Sequence, residues 1–204
     1  MFDFSAFPVI HTNRLTLRCL TPNDANDIFA IRSDFEVTKF NSGPAYTDIS
    51  QGANLIARSI AGFKSKSSLY WAIVLNDDTN VVIGQLGFNN WDQDNHAADI
   101  GFDLRRDCWR KGIMQEALSA ILKFGFNEMH LNRIGAQVSA YNVACKQLLW
   151  KLQFKLEGTQ REQYFELGAY HDLDLFALLK RECSQVLLTS KCDITYVDAA
   201  LVEA

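Results

Sequence analysis

Arg105-Arg106-Asp107-Cys108-Trp109-Arg110-Lys111-Gly112-Ile113-Met114-Gln115-Glu116-Ala117 is a basic loop that runs, through one glycine, into an apolar-periodic helix. The first turn of a helix leaves backbone N–H groups without intrahelical partners and carries partial positive charge. Such a junction therefore holds an anion largely through main chain. Arg110 and Lys111 add side-chain charge to it, and Met114, Ala117, Leu118, Ile121 and Leu122 supply the helix face that a core covers.

Upstream, residues 97–104 read as a strand that enters the loop. Residues 71–75 and 81–88 flank the polar turn 76–80, the pattern of an antiparallel hairpin. Residues 14–19 alternate as a half-buried strand does, and Thr21, Pro22 and Asp24 then open a helix carrying Ala25, Ile28 and Phe29. A second helix is predicted over 48–63, where Ile49, Ala53, Ile56, Ile60 and Phe63 share a face. Downstream, Ile134, Ala136 and Val138 alternate in a strand, residues 142–152 return to helical spacing, and strands at 157–166 and 172–179 are parted by a turn at Gly168. Beyond residue 183 the only pattern is weak strand character at 193–197. This order predicts a mixed α/β sheet and excludes a simple alternating doubly wound one; G-x-G-x-x-G is absent as well.

The 204 residues suit one domain, and 48% hydrophobic with 22% charged residues is a globular mixture. Residues 1–10 lack a basic leader region and the apolar run 71–75 is too short to span a bilayer, so a cytoplasmic protein without membrane insertion is expected. The net charge of -4 speaks against a broad nucleic-acid-binding face. An odd set of five cysteines without a C-x-x-C pair suits reduced cytosol, and four histidines without ligand spacing predict no metal site.

Across residues 12–180 the chain carries, in order, Thr12-Asn13-Arg14-Leu15-Thr16-Leu17-Arg18, Asp99-Ile100-Gly101-Phe102, Trp109-Arg110-Lys111-Gly112-Ile113-Met114, Asn142, Lys151-Leu152-Gln153-Phe154, Leu156-Glu157-Gly158 and Tyr170-His171-Asp172. This series resembles the GNAT N-acetyltransferases, and within them the RimJ/RimL-like ribosomal-protein alanine acetyltransferases. The resemblance implies an α/β (α+β) GNAT fold, a mixed and mostly antiparallel central sheet flanked by helices. Strands 97–104 and 134–139 would be parallel neighbours that splay to form the acetyl-CoA cleft. It also implies one domain over 1–182 with a C-terminal extension over 183–204. Main chain of Phe102, Asp103 and Leu104 would pair with the pantetheine amides. N–H groups of Arg110, Lys111, Gly112, Ile113, Met114 and Gln115 would hold the pyrophosphate, with Gly112 bare to admit phosphate close to the backbone. The chain departs from the family pattern at Met114, where glycine or alanine is usual, at Gln153, where glycine is usual, and at Cys145, which replaces a serine placed near the leaving sulfur.

Acetyl transfer from a thioester requires a neutral amine, a polarised carbonyl and a stabilised leaving thiolate, and no metal. Cys145 is either a weak donor to that thiolate or a small buried residue. Asn142 either contacts cofactor and substrate or caps the helix that starts beside it. Candidate general bases are Asp99 and Asp103 on one strand face, with Asp103 ranked first of that pair, and Glu162 and Glu166 on another. The acceptor walls are expected at 35–46 and 163–170, where Asp34, Glu36, Asp48, Glu162 and Glu166 favour a cationic primary amine, a protein N-terminus or a small molecule. Two other readings fit the same loop: a CoA-binding sensor or interaction module without turnover, and a protein that binds a different nucleotide there. The tail 183–204 is a candidate homodimer contact.

Overall fold

The computed structural model describes residues 5–41, 43–166, 168–184 and 191–198. Its strands are β1 (Ala6–His11), β2 (Leu15–Arg18), β3 (Leu69–Leu75), β4 (Asp78–Asp92), β5 (Ala97–Leu104), β6 (Arg133–Ser139), β7 (Lys155–Glu166), β8 (Ala169–Leu179) and β9 (Asp193–Asp198). They form one nine-stranded sheet in the order β7-β8-β6-β5-β4-β3-β2-β1-β9. Among the described residues β5 and β6 are the parallel pair, and the other neighbours run antiparallel.

The helices are α1 (Ala25–Ser33), α2 (Phe35–Thr38), α3 (Ile49–Lys64), α4 (Ile113–Asn127) and α5 (Val143–Lys151). Local chemistry fixes where they start. Pro22 begins a short 3-10 turn that leads into α1, and Asp24 there accepts the N–H and hydroxyl of Thr21. At α3, Asp48 accepts from the N–H of Ser50 while Gln51 reaches back to the N–H of Asp48, a reciprocal cap. One sheet face packs on α1 and α3 through Leu20, Ile28, Ile31, Ile56, Val74 and Val82. The larger core lies under α4 and α5, where Trp71 meets Phe88 and Phe124 edge to face and gives its indole N–H to the carbonyl of Pro8 at 2.7 Å.

The structure corrects the sequence expectation at four places. β1 and α2 are additional elements. The β3–β4 turn is shorter than 76–80, because β4 begins at Asp78 and a bulge near Val74 takes up the difference in register. Residues after 183 are not all outside the fold: β9 pairs along the whole of β1, from Ala6↔Asp198 to His11↔Asp193, and so forms an edge of the central sheet. Residues 185–190 and 199–204 of that tail lie outside the described residues. Among the described residues no helix is long and apolar enough to cross a membrane.

Candidate active site

β5 and β6 pair only at Ala97↔Arg133, Ala98↔Ile134 and Asp99↔Gly135, although β5 continues to Leu104 and β6 to Ser139. Past Asp99 the two strands part. α4 starts just beyond the end of β5 and α5 just beyond the end of β6, so two helix N-termini stand at the carboxyl ends of the separated strands. That is where an open α/β sheet offers a ligand crevice. The N–H of Arg105 donates to the carbonyl of Ile83, which makes Gln85–Asp103 a hydrogen-bonded cross-strand pair. The main chain of Asp103 therefore faces β4, and that of Phe102 and Leu104 faces the gap. This corrects the expectation that Asp103 offers main chain to a pantetheine arm. The Leu104 carbonyl is itself taken, accepting from the indole N–H of Trp109 at 2.8 Å.

At the start of α4, Gly112 occupies the N-cap position with φ +74° and provides no side-chain cap. The N–H groups of Ile113, Met114 and Gln115 are the uncapped first-turn donors. Arg110 also has positive φ, and the side chains of Arg110 and Lys111 are exposed. Ile113 and Met114 turn their side chains into the core, which explains why a bulky residue is accommodated at Met114: its volume points away from the loop. The backbone itself gives a further reason for glycine at 112. Among protein atoms a Cβ there would meet the Arg14 guanidinium, at an ordinary 3.5 Å, so the left-handed backbone favours glycine independently of any bound anion. Arg105 is occupied by Asp107, at 2.7 Å.

At the start of α5, Asn142 Oδ1 accepts the N–H of Cys145 at 3.1 Å, so Asn142 does cap this helix. The Cys145 side chain packs against the core, and burial pushes its thiol up to about 12. At neutral pH it remains S–H, a weak donor and not a nucleophile.

The opposite sheet face carries Asp99, Gly101 and Asp103 in alternation. Asp103 is buried, and its carboxylate accepts from Arg32 Nη1 on α1 at 2.9 Å, Gln85 Nε2 on β4 at 2.9 Å and Asn41 Nδ2 at 2.6 Å. Arg32 lies over the ring of Tyr46 at 5.1 Å. Three donors on one carboxylate suit an anchor for the segment after α1 better than a proton acceptor. Asp99 differs: it is half-buried at the last paired position, and one oxygen accepts from Asn90 Nδ2 at 3.0 Å. A Cβ on Gly135 would collide with its other oxygen, so the bare glycine lets this carboxylate lie across the point where the strands part. Nearby, Tyr70 accepts from Asn89 Nδ2 at 2.8 Å, and burial raises its pKa, leaving the phenol a donor.

The acidic acceptor wall is not assembled as expected. Asp34 caps α2, Glu36 pairs with Lys39 at 2.8 Å and Asp48 caps α3. Glu162 is exposed in a bulge between β7 and β8, with φ +52° and its N–H donated to Asp172, and among the described residues its side chain has no hydrogen bond or ion pair to the cleft. The side chain of Glu166 lies outside the described residues. What stands on this hairpin is aromatic: His171 stacks on Tyr164 at 5.3 Å and meets Tyr141 edge-on at 5.9 Å. Sequence reasoning also missed Lys146, which joins α5 to Asp174 of β8 at 3.1 Å.

The splayed parallel pair with a bare helix N-terminus at its mouth forms a crevice suited to an anionic ligand. Residues 14–155 match the family described as acetyltransferase (GNAT) domain, and the chain belongs to the GNAT acetyltransferases, enzymes dependent on acetyl-CoA. It is 38% identical over 177 residues to the uncharacterized N-acetyltransferase p20 of Bacillus licheniformis, covering 85% of this chain and 97% of that one. It is 34% identical over 174 residues to the uncharacterized N-acetyltransferase YoaA of Bacillus subtilis, covering 85% and 98%. Its fold matches RimL, a ribosomal L7/L12 α-N-protein acetyltransferase solved with coenzyme A, with a TM-score of 0.76 and 21% identity over 84% of this chain and 97% of that one.

Proposed function

We propose that this protein moves the acetyl group of acetyl-CoA to a primary amine that reaches the cleft from the α1–α3 face. The acceptor is the α-amine of a protein or a small amine. The observation that carries the reading is that β5 and β6 part directly after Asp99↔Gly135, with a half-buried carboxylate on one face and the uncapped start of α4 at the mouth. Bound acetyl-CoA supplies the activated thioester. The N–H groups of Gly112, Ile113, Met114 and Gln115 hold its pyrophosphate with help from Arg110 and Lys111, and Phe102 and Leu104 present main chain to its arm.

Asp99 accepts the proton of the attacking amine, directly or through one water, although the sequence ranks Asp103 first of this pair of candidates. Asp103 keeps Arg32 and Asn41 on the acceptor face. Cys145 donates its S–H toward the departing thiolate, and Asn142 fixes the turn that presents it. The aromatic group Tyr141, Tyr164 and His171 suits a peptide chain as acceptor, and RimL acts on a ribosomal protein. The test is thiol release from acetyl-CoA with N-terminal peptides and small amines. Asp99→Asn should lower kcat by about 10²-fold or more; an unchanged rate would remove Asp99 from the mechanism.

A further inference from the structure

The segment Thr12-Asn13-Arg14 lies far from the anion loop in sequence, yet the turn between β1 and β2 brings it there. Arg14 Nη1 donates to the carbonyl of Lys111 at 2.9 Å and Nε to Glu116 Oε2 at 2.6 Å. The second oxygen of Glu116 accepts the N–H of Arg14 at 3.0 Å and the hydroxyl of Thr12 at 2.6 Å. Glu116 stands in the first turn of α4, so its charge complements the helix end while it holds the guanidinium in one orientation.

Carbonyl and N–H point in opposite directions across a trans peptide unit. A donor that grips the Lys111 carbonyl thereby aims the N–H of Gly112 away from Arg14. The same grip holds the Lys111–Gly112 peptide between two residues with left-handed backbone, Arg110 and Gly112. The remaining nitrogen of Arg14, Nη2, has no hydrogen bond among the described residues and lies 3.5 Å from the point a Gly112 Cβ would occupy.

We infer that Arg14, oriented by Glu116, is a positioning residue for the CoA pyrophosphate. It sets the Lys111–Gly112 peptide in its anion-binding orientation and holds a positive charge at the rim of the loop. The inference rests on the acetyl-CoA reading above. Two motifs that are separate in sequence, the one opening β2 and the one opening α4, are on this account one device.

Calorimetric titration with CoA and with pantetheine, which has the thiol arm but no pyrophosphate, tests it. Arg14→Gln should weaken CoA binding about tenfold, the scale of one charge-assisted hydrogen bond, and leave pantetheine binding unchanged. Arg14→Lys should recover only part of the loss, because an ammonium cannot hold the carboxylate and the carbonyl in the same plane. If Arg14→Gln does not fold, Arg14→Lys and Glu116→Gln carry the same comparison. Equal losses for both ligands would reduce Arg14 to a structural tie, and an unchanged CoA affinity would likewise overturn the inference. Failure of the wild-type protein to bind CoA would overturn the acetyl-CoA reading and this inference with it.

Discussion

Replacing Asp103 by asparagine removes a charge and almost no volume, and so isolates what the carboxylate does. Asp103 is 6% exposed and its partner Arg32 has 17% of its side chain exposed. Removing one partner of a buried ion pair costs about 3–5 kcal/mol, because the surviving charge is left uncompensated. Arg32 retains its contact with Tyr46 and some access to water, which lowers that figure. An amide offers one acceptor oxygen where the carboxylate offered two, so a donor among Arg32, Asn41 and Gln85 loses its acceptor, at about 1 kcal/mol. The expected loss is about 2–4 kcal/mol, read as a lower urea midpoint at unchanged slope. Arg32→Met combined with Asp103→Asn should lose less than the sum of the two single changes. Asp103→Asn should lower kcat of the folded enzyme by less than about tenfold, well short of the general-base range. By contrast, Asp99→Asn should leave stability within about 0.5 kcal/mol while removing most of the turnover. An Asp103→Asn protein as stable as wild type but inactive would refute the assignment of roles.

Asp24 is buried and takes both terminal nitrogens of Arg18 at 2.8 Å; burial pushes its carboxyl up, but the Arg18 and Thr21 hydrogen bonds outweigh that and leave it below its ordinary value. A depressed folded pKa gives stability that is present above the unfolded value of about 3.9 and is lost as pH falls through the folded one. The gap in thermal stability between wild type and Asp24→Asn should therefore be constant near pH 7 and narrow below about pH 4, and a gap that stays constant down to pH 2 would contradict this. Gly112→Ala forces a side chain into φ +74° and should cost about 1 kcal/mol in denaturant while weakening CoA; an alanine variant equal to wild type in both would count against the left-handed requirement. With its thiol near 12, native Cys145 should react far more slowly with iodoacetamide at pH 8 than the unfolded protein. Cys145→Ser should keep kcat and Cys145→Ala should lower it several-fold; rapid native labelling with loss of activity in both variants would point to a nucleophile.

The part of the fold that was legible in sequence is the part encoded locally. The run from β5 through Gly112 into α4 announces itself by alternation, charge, one glycine and then helical spacing, and the structure follows it closely. β1 was hidden because Phe7-Pro8-Val9-Ile10 is a continuous apolar stretch broken by proline, and because its partner β9 lies at the other end of the chain. Two acids of the expected acceptor wall carry a local signal of their own: Asp48 followed by Gln51 is a capping pattern, and Asp34 likewise precedes a helical turn. The sequence ranks Asp103 ahead of Asp99 but does not reveal its donors Arg32, Asn41 and Gln85, which come from three separate segments. The same holds for Arg14 and Glu116, 102 positions apart. Which side chains neutralise one another is a tertiary property that spacing along the strand does not record.

The most direct test of the account is amine-dependent thiol release from acetyl-CoA, screened over N-terminal peptides, polyamines and aminoglycosides with wild type and Asp99→Asn side by side. The account predicts release that depends on one class of primary amine and collapses in the variant. Binding of acetyl-CoA with no release against any amine in the panel would contradict it.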